Sequence, residues 1–96
     1  MLCILFCSCS TTEIDKELIG TWAGDTNPQR YVFKSNGRYE HYINDELRDK
    51  GSFSTSTGYN YKSITFKSSN GKEITYNYHF NIGFLFIDGY YFRRIK

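Results

Sequence analysis

Cysteine is confined to the first nine residues of this chain, as Cys3, Cys7 and Cys9, and no thiol follows them. That excludes a disulfide framework, a thiolate metal site and a cysteine nucleophile from everything after residue nine. Proline occurs once, at Pro28, and the apolar stretch Met1 to Ser8 is about half the length of the roughly 20 residues a spanning helix needs. An excess of one charge is lacking too: twelve Lys and Arg stand against ten Asp and Glu, spread along the chain for a net of +2. This is a solvated surface, without the clustered basic excess that a nucleic-acid partner requires. There is no His-x-His, no glycine-rich phosphate loop and no calcium-loop spacing, and the two histidines, His41 and His79, fall on different expected strands. No carboxylate pair stands at a spacing suited to acid–base work. The expectation is a non-catalytic protein with no metal and no cofactor. Nothing in the sequence sets an oligomeric state.

Aromatic residues, by contrast, are abundant: nine Tyr, eight Phe and one Trp make up 19% of the 96 residues. Aromatic and β-branched residues fit a pleated, half-buried surface, so the composition leans towards an all-β fold with a single core. From Leu18 onward, short alternating runs are broken by turn signals every 8 to 12 residues or so, the pattern of a sandwich or barrel. The alternation predicts strands over Leu18–Ala23, Gln29–Lys34, Arg38–Ile43, Gly51–Thr55, Tyr59–Lys67, Glu73–Asn81, Phe84–Ile87 and Tyr90–Ile95. Asn44–Lys50 (NDELRDK) is the most polar stretch and reads as a loop or a short helical turn. Ser35-Asn36-Gly37 and Ser69-Asn70-Gly71 read as three-residue hairpin loops that pair Phe33 with Tyr39, Phe66 with Ile74 and Ile64 with Tyr76. Asp88-Gly89 closes the last hairpin, with Tyr91 opposite either Phe86 or Leu85. Every link is short, and eight meandering strands that close leave no sticky edge. The expected fold is an eight-stranded antiparallel up-and-down barrel.

The amino end reads as an address. Met1 to Ser8 is apolar and uncharged, like the hydrophobic region of an export signal. Leu5-Phe6-Cys7-Ser8-Cys9 resembles a bacterial lipobox: an apolar approach, a small residue, then cysteine. The resemblance implies cleavage before Cys9 by signal peptidase II, acylation of Cys9, and a protein held at a bacterial cell envelope, on the outer membrane, by its lipid. Residues 1–8 are then a signal remnant, 9–17 a tether and 18–96 the barrel domain, with the membrane as a partner through the anchor.

Gly20-x-Trp22 near the amino end of an eight-stranded meander resembles the lipocalin superfamily, and the fuller pattern adds Leu18 before it, then Phe33 with Gly37 and Tyr39, then Tyr91 with Arg93. More closely, the pattern resembles the small lipocalin-like domains on lipoproteins of Bacteroidetes-type bacteria. The body is much shorter than a true lipocalin and lacks the long mouth loop and carboxy-terminal helix. The resemblance implies that Trp22 plugs one barrel end and stacks with Arg93, or with Arg94 if the last register slips, leaving the opposite mouth for binding. Trp22, Tyr31, Phe33, Tyr39, Phe53, Phe66, Tyr76, Tyr78 and Phe80 are inward candidates large enough to fill a lumen of eight strands. Two further readings compete with a filled core. In one, Tyr31, Tyr39, His41, Tyr76 and Tyr78 line a mouth for a small hydrophobic or glycan-like ligand. In the other, the barrel is packed and outward rings among Tyr42, Tyr59, Tyr61, Tyr90 and Tyr91 dock a protein partner, as an inhibitor or accessory subunit would.

Overall fold

Two-residue periodicity from Gly20 to the carboxy terminus produces strands throughout. The computed structural model describes residues 14–96, and the proposed signal and the lipidation site Cys9 lie outside them. The strands are β1 (Gly20–Gly24), β2 (Gln29–Phe33), β3 (Arg38–Ile43), β4 (Glu46–Thr57), β5 (Lys62–Ser68), β6 (Glu73–Asn81), β7 (Phe84–Ile87) and β8 (Tyr90–Arg94). Each pairs antiparallel with the next and β8 returns to β1, giving a closed eight-stranded meander barrel. Closure satisfies the edge groups that an open sheet would expose.

Turn chemistry sets the registers. Gly37 and Gly71 have φ of +84° and +92°, and each ends a three-residue loop. Phe33 therefore faces Tyr39, Phe66 faces Ile74 and Ile64 faces Tyr76, as the loop sequences require. Three other turns have two residues with positive φ: Asn44-Asp45, Ile82-Gly83 and Asp88-Gly89. This is the twist that antiparallel strands prefer across a two-residue turn. At Asp88-Gly89 it places Phe86 opposite Tyr91, which resolves the register left open by the sequence.

Three boundaries differ from expectation. Asn44-Asp45 alone makes the turn, so residues 46–50 are not a loop but the start of β4, a strand of twelve residues. Its polar half is largely exposed, and a bulge at His41/Tyr42 shifts its register against β3. At the other end of this hairpin, Gly58 N–H donates to the Tyr61 carbonyl (2.8 Å), so residues 58–61 turn and β5 begins only at Lys62. Leu18 does not open β1. It closes a 3-10 turn, Lys16–Leu18, capped by the Asp15 carboxylate accepting from Glu17 N–H at 3.1 Å. The turn tucks Leu18 beneath the barrel end, completely buried.

Alternation divides the strands into an inner and an outer face. Trp22, Tyr31, Phe33, Tyr39, Phe53, Phe66 and Tyr78 are buried inside with Ile64, Leu85, Ile87 and Phe92, while Tyr76 and Phe80 pack partly buried against them. Each fully buried side chain of this size contributes about 1.5–3 kcal/mol. The rings are stacked closely: Tyr31 lies 5.3 Å from Phe33 and 5.4 Å from Phe66, and Phe33 lies 4.9 Å from Phe53. Side chains occupy the lumen.

Candidate functional site

At the plug end, Trp22 is buried and its indole N–H donates to the Leu18 carbonyl at 2.9 Å. The cation above the ring is Arg94, with its guanidinium 4.4 Å from the ring centroid, and not Arg93. The two-residue turn at Asp88-Gly89 explains this. It puts Phe92 and Arg94 on the inner face and leaves Tyr91 and Arg93 outside, where Arg93 lies 3.8 Å from Asp25. The Arg94 fork also donates to the carbonyls of Ile19 (2.7 Å) and Glu17 (2.5 Å), tying the last strand to the 3-10 turn. Gly20 makes room for this closure: φ is +137° and a side chain there would meet the Lys96 carbonyl at 2.5 Å.

Of the five residues expected to line a mouth, Tyr31, Tyr39, His41 and Tyr76 gather towards the end opposite the plug, and Tyr78 does not. Tyr78 stands one inward position farther along β6, towards the plug, and its hydroxyl donates to Asp15 at 2.7 Å. The lead-in around Asp15, expected to be a plain tether, is thus part of the barrel's packing. Lys62 reaches the same carboxylate at 3.6 Å.

At the mouth, Asp49 accepts from the Tyr39 hydroxyl (2.6 Å) and the Ser68 hydroxyl (2.5 Å). Burial by itself pushes the Asp49 carboxyl up, but these two bonds, the Lys50 N–H and the His41 ring outweigh it and hold the carboxyl below the usual range. Burial followed by the Asp49 bond pushes the Tyr39 phenol up. His41 shares a 2.9 Å hydrogen bond with Gln29 and stacks on Tyr31, with centroids 4.2 Å apart and planes within 7°. Burial lowers the His41 pKa against the opposing pull of Asp49. Asp49 and Ser68 complete this network, and the sequence hid them: Asp49 sits in the stretch read as a loop, and Ser68 is the polar residue between the strand expected to end at Lys67 and the Ser69-Asn70-Gly71 loop. The mouth residues bind mainly one another.

Outside, the tyrosines divide. Tyr42 is engaged, donating to Glu40 (2.9 Å) under the Arg30 guanidinium (4.3 Å). Tyr59, Tyr61, Tyr90 and Tyr91 are exposed. Across β6, β7 and β8, His79, Phe86 and Tyr91 stand directly opposite one another, with ring centroids 4.8 Å and 4.6 Å apart. Phe84 flanks Tyr91 edge-on at 6.2 Å. Beside this row lies a groove of about 330 Å³ formed by Asp25, Asn81, Ile82, Phe84 and Tyr91. The sequence signalled it in strand Phe84–Ile87, which is apolar at every position. Among the described residues, no group of three or more His, Cys, Asp or Glu converges as a metal site would.

The fold and these surfaces define a small closed β-barrel with a filled interior and an aromatic outer face. No family model, no curated protein and no solved structure matches the chain.

Proposed function

We propose that this protein is a non-catalytic docking module of the bacterial cell envelope, a lipocalin-like barrel anchored through acylated Cys9. Its outer aromatic row holds a protein partner. One observation carries this reading: the lumen is occupied by its own rings, whereas His79, Phe86, Tyr91 and Phe84 form a contiguous row on the outside. Monomeric proteins rarely leave contiguous apolar surface without a use, and aromatic anchors dominate interface energetics. The Asp25–Arg93 pair at the rim supplies polar contacts that orient a partner.

The test is a photo-crosslinking amino acid at position 91, compared with one at position 40 on the outer face of β3. A discrete adduct is expected from position 91 alone. The purified partner should then lose about tenfold or more in affinity for Tyr91→Glu, which leaves Tm unchanged. Equal adducts from both positions, or unchanged affinity in Tyr91→Glu, count against the docking face. A small-ligand reading keeps one foothold, because the Tyr31 and Tyr76 hydroxyls make no hydrogen bond within the described residues. It requires that His41→Ala and Tyr39→Phe change binding in a metabolite screen.

A further inference from the structure

A second surface meets the aromatic row only at His79 and asks for a different occupant. The turn at residues 58–61 and the outer side of β6 enclose a groove of about 540 Å³, lined by Tyr59, Asn60, Tyr61, Lys62, Asn77 and His79 among others. That volume falls in the range of about 300–1,000 Å³ found for small-ligand sites.

Two tyrosine rings form its apolar part. Tyr59 is 96% exposed, and Tyr61 is 54% exposed yet held in place. The Tyr61 ring lies against the backbone of Gly58, where an added Cβ would come within 2.1 Å of Cε1. A side chain at 58 would displace the ring from this position, and the 2.8 Å bond from Gly58 N–H to the Tyr61 carbonyl closes the turn. Tyrosine offers a large rigid face at little entropic cost, and a preorganised ring loses less on binding.

Around the rings stand neutral groups with unused hydrogen-bonding capacity. The Asn60 and Asn77 amides and the Tyr59 and Tyr61 hydroxyls make no hydrogen bond within the described residues. The one lysine of the groove is already compensated: Lys62 lies 3.6 Å from Asp15 and 5.5 Å above the Phe80 ring. The groove therefore offers no net charge to an anionic or cationic ligand. An extended peptide gains affinity by adding to an open strand edge, whereas β5 along this groove is already paired on both sides, to β4 and β6.

We infer that this groove binds a neutral carbohydrate chain. The apolar C–H face of a pyranose ring lies on Tyr61 and Tyr59, and its hydroxyls exchange hydrogen bonds with Asn60 and Asn77. The inference goes beyond the docking reading: the two surfaces share His79, but the sugar contacts are assigned to Tyr59, Tyr61, Asn60 and Asn77 and not to Phe84, Phe86 or Tyr91.

The experiment titrates the full chain with two neutral β-1,4-linked hexasaccharides, one of glucose and one of N-acetylglucosamine, and follows backbone amide shifts by NMR. Saturable shifts are expected at residues 58–62 and 77 with at least one sugar. Tyr59→Ala and Asn77→Ala, both at exposed positions, should weaken binding about tenfold without moving Tm, which corresponds to about 1.4 kcal/mol. Tyr91→Glu should bind the sugar as the wild type does. Absence of saturable shifts with both sugars overturns the assignment, and so does binding that survives Tyr59→Ala and Asn77→Ala unchanged. Co-sedimentation with phosphatidylglycerol vesicles that depends on Tyr59, with no response to either sugar, overturns it in favour of a membrane surface. None of these outcomes bears on crosslinking at position 91.

Discussion

Arg93 and Arg94 are adjacent, identical in chemistry and both exposed in part, yet they carry different loads. Arg94 lies over a buried indole and donates through both arms of its fork to backbone carbonyls of the 3-10 turn. A cation–π contact contributes about 0.5–2 kcal/mol, and a hydrogen bond from a charged group about 1.5–3. Solvent around the guanidinium trims that combination, so Arg94→Ala is expected to cost about 1–2 kcal/mol. For a domain of this size that lowers Tm by roughly 4–16 °C. Arg93 reaches Asp25 only at 3.8 Å in an exposed pair, for which about 0–1 kcal/mol is the rule. Thermal denaturation of Arg93→Ala beside Arg94→Ala measures the difference directly, and equal losses would remove the plug role from Arg94. Trp22→Ala should exceed both, at about 3–5 kcal/mol, because it also opens a cavity and strands the Leu18 carbonyl.

Elements rather than single residues hold the mouth: β2 and β3 supply Gln29, Tyr31, Tyr39 and His41, β4 supplies Asp49 and β5 supplies Ser68. Their titration is linked to stability. The folded-state pKa of His41 lies below its usual 6.5, so folding favours the neutral ring. Its contribution is complete above pH 6.5 and is lost as pH falls through the lowered value. Asp49 is depressed below 3.8, so its contribution is present above that value and is lost at still lower pH, where Glu40 weakens as well. Tm should therefore decline as pH falls from 7.5 to 5.5, and His41→Phe should flatten that segment while keeping the stronger acid decline. A slope unchanged in His41→Phe would place the proton uptake elsewhere. Much of this layer was legible beforehand, because Ser35-Asn36-Gly37 and Ser69-Asn70-Gly71 encode three-residue loops whose registers follow from the pleat. The network itself was not. Asp49 lies in a strand that runs past the barrel wall into solvent, where hydrophobic alternation vanishes and the sequence resembles a loop. The groove at residues 58–61 was obscured for the opposite reason: alternating tyrosines imitate a strand, and only the fit of Tyr61 on Gly58 reveals a turn.

Across the whole molecule, the barrel is closed laterally by β1 with β8 and at one end by its own lead-in. Core side chains occupy the lumen, and both proposed surfaces lie outside it. The end closure is not an accessory. Leu18 is fully buried beneath Trp22, and the Asp15 carboxylate accepts from Tyr78 and pairs with Lys62, reaching across to β6 and β5. A chain beginning at Ile14 keeps all of these contacts; one beginning at Ile19 keeps none. Losing Leu18 alone is comparable to a large core truncation of about 2–5 kcal/mol. The Tyr78 hydroxyl would also lose its acceptor, at about 1–3 kcal/mol if no water replaces it. The shorter chain should therefore melt at least about 10 °C below the longer one. It should also bind a hydrophobic dye at the uncovered Trp22 end, a signal that simple loss of exposed residues would not produce. Coincident melting of the two chains would mean that the strands alone seal the barrel and that the lead-in serves only as a tether. A separation of the predicted size makes the lead-in a structural member of the barrel, so that any force applied through an amino-terminal anchor is borne by the Trp22 closure.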